Sequence, residues 1–184
     1  MNQKILTKNS YDIFETSWGW IGVLASQKGL IRTTLPHADV EECIKSLGSD
    51  LEHADHLPRN FIVHRRDLRK LFDGRVVNFD HYPIDIEDGP PFYSEVWSLC
   101  RLIPLGETRS YGWIASKLDC PYGARAVGQA MARNRLPIII PCHRVISSNG
   151  NLGGYGRNYR FTHLKKWLLE LEALSIEKLD PASP

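Results

Sequence analysis

The stretch Asp88-Gly89-Pro90-Pro91 constrains this chain more than any other. Two consecutive prolines remove two amide donors and fix φ, and the glycine before them favours a turn, so no helix or central strand can run through. The 184 residues are enough for one domain or two small ones, each with a packed core. The break sets a boundary that divides the chain into residues 1–89 and 90–184.

The two sides read differently. Residues 11–14, 20–25 and 30–34 are short β-rich runs, punctuated by Gly19 and the pair Lys28-Gly29. Residues 40–47 have helical spacing and stop at Gly48, a C-cap. Residues 65–72 give a second helix stopped by Asp73-Gly74, and 76–86 alternate like a further strand. This side is α/β material. After the break, Phe92, Val96, Leu99 and Ile103 share one helical face, closed by Pro104-Leu105-Gly106. Ser110 can cap a helix over 111–118, and a turn at 119–122 leads into a third helix over 123–133. Helix, short turn, basic helix is helix-turn-helix geometry, here over 111–133. The third helix carries Ala124, Ala126, Gly128, Ala130 and Ala132, small side chains that let a backbone approach another surface closely. A last helix over 162–174 puts Leu164, Trp167, Leu168 and Leu171 on one apolar side, and the tail 180–184 should fray. The expected fold class is α+β overall: an α/β N-terminal domain and a mainly α C-terminal domain.

Charge is unevenly spread. Residues 1–89 hold 11 Lys and Arg against 14 Asp and Glu, whereas 90–169 hold 11 against 3, a net of +8. A basic segment with aromatics among its charges suits a polyanion. The four cysteines, Cys43, Cys100, Cys120 and Cys142, form no CxxC pair and no cluster with histidine, so neither a zinc site nor a disulfide framework is expected. No apolar run reaches membrane-span length, and the start lacks a secretory signal; the expectation is a reducing cytoplasm, or the nucleus in a eukaryote.

One segment carries chemistry. The run Ile138-Ile139-Ile140 reads as a buried strand and ends in Pro141-Cys142-His143-Arg144-Val145, over an active-site segment of 138–146. A cysteine attacks as its thiolate, which needs a base or positive charge nearby and a partner to orient that base. A lone Cys-His pair is more often structural, and the surrounding motifs decide otherwise.

Those motifs are Ile103-Pro104-x-Gly106-x-Thr108-x-Ser110-Tyr111-Gly112, Arg125-Ala126-Val127-Gly128, Asn134, Ile140-Pro141-Cys142-His143-Arg144-Val145-Ile146, Gly150-x-Leu152-Gly153-Gly154-Tyr155 and Lys165-x-Trp167-Leu168-Leu169-x-x-Glu172. In this order and spacing, over residues 92–172, they resemble the O6-alkylguanine-DNA alkyltransferase family. The resemblance implies a repair protein that moves the alkyl group of O6-alkylguanine, and less well of O4-alkylthymine, in double-stranded DNA onto its own cysteine. The product is a stable thioether, so each molecule acts once. It implies no cofactor, no membrane and a monomer. The target atom lies inside the base stack, so the nucleotide is flipped out.

By the same resemblance, Cys142 is the attacking thiolate, His143 its base through a water, and Glu172 the group that orients His143, in the manner of a catalytic triad. Tyr111 protonates the leaving guanine. Arg125 fills the hole left by the flipped base while its helix lies in the minor groove, with Ser110, Ala126 and Gly128 also on the DNA side. Asn134 ties that helix to the cysteine segment. The carbonyls of Cys142 and Val145 read the exocyclic amine, Tyr155 and Gly156 line the pocket and polarise O6, and Lys165 steadies the loop. Arg144 is read as a structural partner for carboxylates or carbonyls.

The chain departs from the family's usual text at four places. Arg135 stands where proline is common, which removes a source of rigidity from the loop before the Ile run. Asp119-Cys120-Pro121-Tyr122 replaces a glycine-containing turn and sets a bulky Tyr122 near the DNA face. Arg157-Asn158-Tyr159 replaces glycines and bears on pocket width, and Ser94 replaces a glutamine. The competing readings are a non-enzymatic binder of alkylated DNA, a helix-turn-helix regulator and a cysteine hydrolase. The first lacks the cysteine that Cys142 provides. The second leaves the Cys-His pair and the distal Glu172 without use. The third needs an oxyanion hole that the sequence does not display.

Overall fold

A hairpin opens the fold in a computed structural model that describes residues 8–86, 90–156 and 161–177. Strands β1 (Asn9–Thr16) and β2 (Gly19–Ala25) pair antiparallel, with Thr16 opposite Gly19 across a two-residue turn. Gly19 has φ 120°, and a Cβ there would stand 2.4 Å from the His37 carbonyl oxygen, so only glycine fits. Strand β3 (Leu30–Thr33) joins β2 antiparallel, and β4 (Ala54–His56) joins β1 parallel, giving the order β3-β2-β1-β4. Helix α1 (Val40–Leu47) starts at Asp39, whose carboxylate accepts from the Glu42 amide at 2.8 Å, and ends at Gly48 with φ 80°. It rests on β2 where Gly22 leaves room for Cys43 and Leu47. Helix α2 (Ile62–Phe72) buries Leu68, Leu71 and Phe72.

The second half is helical. Helix α3 (Pro91–Arg101) buries Val96, Trp97 and Cys100, and the Trp97 indole donates to the Ala130 carbonyl at 3.0 Å, fixing it to α5 (Ala124–Ala132). Helix α4 (Tyr111–Lys117) is capped by Ser110, whose hydroxyl accepts from the Trp113 amide at 3.0 Å. Helices α4 and α5 are in contact across the 118–123 turn. Two-residue strands β5 (Arg109–Ser110) and β6 (Val145–Ile146) pair parallel and place the start of α4 beside the cysteine segment. Helix α6 (Thr162–Glu177) closes the chain and runs three residues past the expected end.

One apolar core draws from both halves, from Phe14 and Ile21 in the sheet to Leu164 and Leu168 in α6. Trp18 packs against Trp167 with ring centroids 4.7 Å apart. Two bonds matter for the site: the Thr33 amide donates to the Arg135 carbonyl at 2.9 Å, and the Thr33 hydroxyl donates to the Pro137 carbonyl at 2.9 Å. The sheet edge thus braces the loop before the cysteine, and Arg135, standing where a proline would stiffen it, is held through its carbonyl.

Other elements also differ from the sequence reading. Residues 76–86 alternate because Phe79 and Tyr82 turn inward, yet they form no strand; only Ile84 bridges to Leu30. Pro83 has no amide to offer a ladder, and Tyr82 instead donates its hydroxyl to buried Asp67 at 2.8 Å. Residues 138–140 are buried but turn, with Ile138 at φ 77° and Ile140 N donating to the Leu136 carbonyl at 2.8 Å. Apolar runs do not distinguish a buried strand from a buried turn. Strand β4 carries too few apolar residues to announce itself. The expectations for residues 88–89, 157–159 and 180–184 fall outside the described residues. No described helix is long and apolar enough to cross a membrane.

Candidate active site

Asn134 organises the turn that carries the cysteine. It follows α5, and its side chain replaces the ladder bonds a strand would have supplied. The Leu136 amide donates to its Oδ1 at 2.9 Å; its Nδ2 donates to the Ile140 carbonyl at 3.0 Å and lies 3.1 Å from Cys142 Sγ. These bonds, with those from Thr33, hold Ile138 in the left-handed region that a β-branched residue adopts only when its surroundings impose it. The chain then makes a single 3₁₀ turn, Cys142–Arg144, all three residues buried.

Cys142 is 7% exposed and reaches a cleft of about 900 Å³ that Trp97, Met131, Asn134, Tyr155 and Gly156 also line. Burial pushes its thiol pKa up, while the Asn134 amide and the Lys165 charge pull it back. The sulfur therefore rests as a thiol and needs a base to become nucleophilic. Burial raises Cys43 to about 11 and Cys100 to well above the ordinary thiol value, so these two stay protonated.

Neighbouring His143 is 2% exposed, with Nε2 2.9 Å from Glu172 Oε1. Burial pushes the Glu172 carboxyl up, but hydrogen bonds and charge from His143 and Arg144 outweigh this and leave it at about 2. An ionised carboxylate only accepts, so Nε2 carries the proton and Nδ1 the lone pair. Burial also holds His143 below its ordinary 6.5, so the ring is neutral near pH 7, and among the described residues Nδ1 makes no hydrogen bond. A neutral imidazole with one nitrogen fixed and the other unoccupied is equipped to take a proton.

Arg144 is the clamp behind this pair. Its Nε donates to Glu172 Oε1 and Oε2 at 3.2 and 3.0 Å, one terminal nitrogen to Oε1 at 3.0 Å, and the other to the Ile103 carbonyl at 2.8 Å. The Gly106 amide adds a bond to Glu172 Oε2 at 3.1 Å. The sequence suggested a carboxylate partner for Arg144; that this partner is Glu172 itself carries no local signal. Ionised Glu172 contributes stability that is full above about 4.5 and lost as pH falls through about 2. The depressed pKa is worth about 3 kcal/mol. The stability gap between the native protein and Glu172→Gln, read as urea midpoints, should therefore close between pH 5 and 2.

Lys165 is fully buried, and its ammonium donates to the Val145 carbonyl at 2.6 Å. Burial brings its pKa down to about 8, so it is charged at neutral pH. The ammonium lies 5.9 Å from the Tyr111 ring centroid, and a Cβ at Gly153 would stand 3.0 Å from the Tyr111 hydroxyl, so only glycine lets the two approach this closely. Tyr155 presents its ring edge to His143 with centroids 6.3 Å apart, and its buried hydroxyl makes no hydrogen bond among the described residues. Gly156 has φ 68°, and a Cβ there would meet Phe161 at 2.7 Å.

The structure therefore brings Cys142, His143, Glu172, Asn134, Val145, Lys165, Tyr111, Tyr155 and Gly156 together. It puts Arg125 and Ala126 elsewhere, exposed on α5, with open space over Gly128; Ser110 is spent as a helix cap. The two groups connect through α5, which has Arg125 near its start and Asn134 two residues past its end. Thr33 and Ile103 support the site through bonds that no motif advertises.

Known proteins resemble this chain along most of its length. Residues 91–174 match the family model described as the DNA-binding domain of 6-O-methylguanine DNA methyltransferase. The constitutive methylated-DNA–protein-cysteine methyltransferase of Bacillus subtilis is 35% identical over 170 residues, covering 92% of this chain and 99% of that one. The methylated-DNA–protein-cysteine methyltransferase of Methanosarcina barkeri is 36% identical, over 88% of this chain and 96% of its own. The crystal structure of Mycobacterium tuberculosis O6-methylguanine methyltransferase superposes with a TM-score of 0.72 at 33% identity, covering 90% of this chain and 93% of that one. The same bacterial protein in complex with DNA gives a TM-score of 0.72 at 34% identity. A sheet-plus-helix fold matched along almost its whole length, together with identity at this level, means that the chain belongs to the methylated-DNA–protein-cysteine methyltransferase family.

Proposed function

We propose that this protein repairs double-stranded DNA by moving the alkyl group of O6-alkylguanine, and less readily of O4-alkylthymine, onto Cys142 in a single turnover. The observation that carries this reading is the buried Cys142 sulfur, held by Asn134 at 3.1 Å, next to a neutral His143 whose other nitrogen is fixed by ionised Glu172 at 2.9 Å. His143 takes the thiol proton through an intervening water. Sulfur attacks the alkyl carbon, the S–C bond forms as the C–O6 bond breaks, and the electron pair stays with guanine. The Tyr111 hydroxyl gives its proton to the departing base, and buried Lys165 offsets charge on the phenolate. The carbonyls of Cys142 and Val145 accept from the exocyclic amine, while Tyr155 and the Gly156 backbone line the base. A thioether resists hydrolysis, so the protein is consumed.

In this reading α5 lies in the minor groove, with Arg125 in the space of the flipped nucleotide and Ala126 and Gly128 allowing close approach. The protein acts as a monomer, without a cofactor, in the cytoplasm or in a eukaryotic nucleus. Residues 90–184 carry the chemistry, and 1–89 act as a brace through Thr33. The test is stoichiometry with an excess of duplex carrying O6-methylguanine. Methyl loss from DNA should plateau at one equivalent per protein; continued turnover would overturn the single-use reading, and no loss would favour a non-enzymatic binder.

Methylation should also weaken the fold. An added methyl in a packed site costs about 1–3 kcal/mol, and here it competes with the Asn134 donor. Methylated protein should melt several degrees lower and be cut faster by protease. A melting temperature unchanged or raised after stoichiometric methylation contradicts this coupling.

A further inference from the structure

The turn that launches the recognition helix is built more firmly than its exposure requires. The Gly123 amide donates to the Cys120 carbonyl at 2.7 Å, closing a β-turn with Pro121 at its second position and Tyr122 at its third. Proline fixes φ at the second position. Among the described non-glycine residues only Asp119 and Ile138 have positive φ, so Tyr122 sits in a type I turn without strain. Cys120 is tied back to α4, its amide donating to the Ala115 carbonyl at 3.0 Å and its Sγ to the same oxygen at 3.3 Å. Gly123 packs so closely on Cys120 that a Cβ would stand 2.8 Å from both its carbonyl oxygen and its sulfur.

On this fixed backbone the Tyr122 side chain is 99% exposed. It shares a shallow depression at the tip of α5 with Gly123, Ala124, Arg125, Ala126 and Gln129. Exposed Asp119 stands at the start of this turn, and the chain then has no acidic residue before Glu170, while Arg125 lies beside the ring. A large aromatic ring held in water beside an arginine complements a nucleic acid, whose phosphates want the cation and whose bases and sugars offer faces to the ring.

We propose that Tyr122 is a second wedge beside Arg125, its ring packing on the sugar and base next to the extrahelical nucleotide so that the opened duplex is held apart. This rests on the alkyl-transfer reading and adds to it a positioning residue at the DNA. The ring carries the contact; Arg125 enters the stack from the first turn of the helix, and Tyr122 reaches the adjoining step from the turn before it. Because the turn is already rigid, ordering the ring on DNA immobilises only its own two side-chain torsions.

The test compares native protein, Tyr122→Ala, Tyr122→Phe and Arg125→Ala in three measurements. These are methyl transfer from a duplex carrying O6-methylguanine, transfer from the free base, and fluorescence of 2-aminopurine placed beside the lesion. Tyr122→Ala should slow duplex repair and weaken duplex binding roughly tenfold, the scale of one base–aromatic stack. It should lower the 2-aminopurine signal and leave the free-base rate unchanged, and Tyr122→Phe should behave as native protein. Duplex repair by Tyr122→Ala at the native rate overturns the proposal. So does an equal loss on the free base, which offers no neighbouring nucleotide, or an equal loss in Tyr122→Phe, which keeps the ring. Failure of the native protein to accept methyl from either substrate would overturn the transfer reading itself.

Discussion

Glu172→Ala is expected to remove about 3–5 kcal/mol of stability, the usual cost of stripping one partner from a buried ion pair. The cause is Arg144. Its guanidinium is 7% exposed, and three of its four hydrogen bonds end on Glu172; the Ile103 carbonyl alone would remain. The Gly106 amide would lose its acceptor as well. For a chain of this size the melting temperature should fall by on the order of 10 °C. Glu172→Gln, which keeps an acceptor, should fall by less. Thermal unfolding of the three proteins decides the matter, and a shift within two or three degrees for Glu172→Ala would contradict the idea that Arg144 depends on this carboxylate.

His143→Gln should slow methyl transfer about 10²–10⁴-fold, the range a positioned general base supplies, with duplex binding unchanged. Burial lifts the Cys142 thiol above its ordinary value, so few molecules hold a thiolate at neutral pH without a base. His143 fits that need because burial holds it below 6.5 and Glu172 fixes its tautomer. The variant's rate should rise steeply with pH, since hydroxide replaces the missing base. Single-turnover transfer under excess protein, followed from pH 6 to 9, measures this. A variant as fast as native protein across that range would remove His143 from the mechanism.

Much of the helical structure was legible in the sequence because its signals are local. Ser110, directly before α4, caps it through the Trp113 amide, and Gly48 ends α1 with φ 80°; α3 stops at Arg101, before the Pro104-Leu105-Gly106 stretch reaches it. Where the sequence misled, the cause was a partner distant along the chain or a side chain standing in for backbone. Residues 138–140 look like a strand until Asn134 takes the place of the ladder and Thr33, a hundred residues earlier, supplies the anchor. Residues 76–86 alternate, yet Tyr82 spends its polar end on Asp67. At the site, Cys142 and His143 are adjacent in sequence and were readable as a pair. Glu172 stood out only through the family resemblance, and its grip on Arg144 came from the fold. The contact of Lys165 with the Val145 carbonyl is likewise invisible in one dimension.

Peptide mass mapping tests most directly whether Cys142 accepts the alkyl group. After reaction with duplex DNA carrying O6-methylguanine, digestion should yield one peptide heavier by a single methyl group, with fragmentation placing that mass on Cys142 and the Cys142→Ala protein gaining none. A methyl group on Cys43, Cys100 or Cys120, or an unmodified native protein after the lesion has disappeared, would contradict the account.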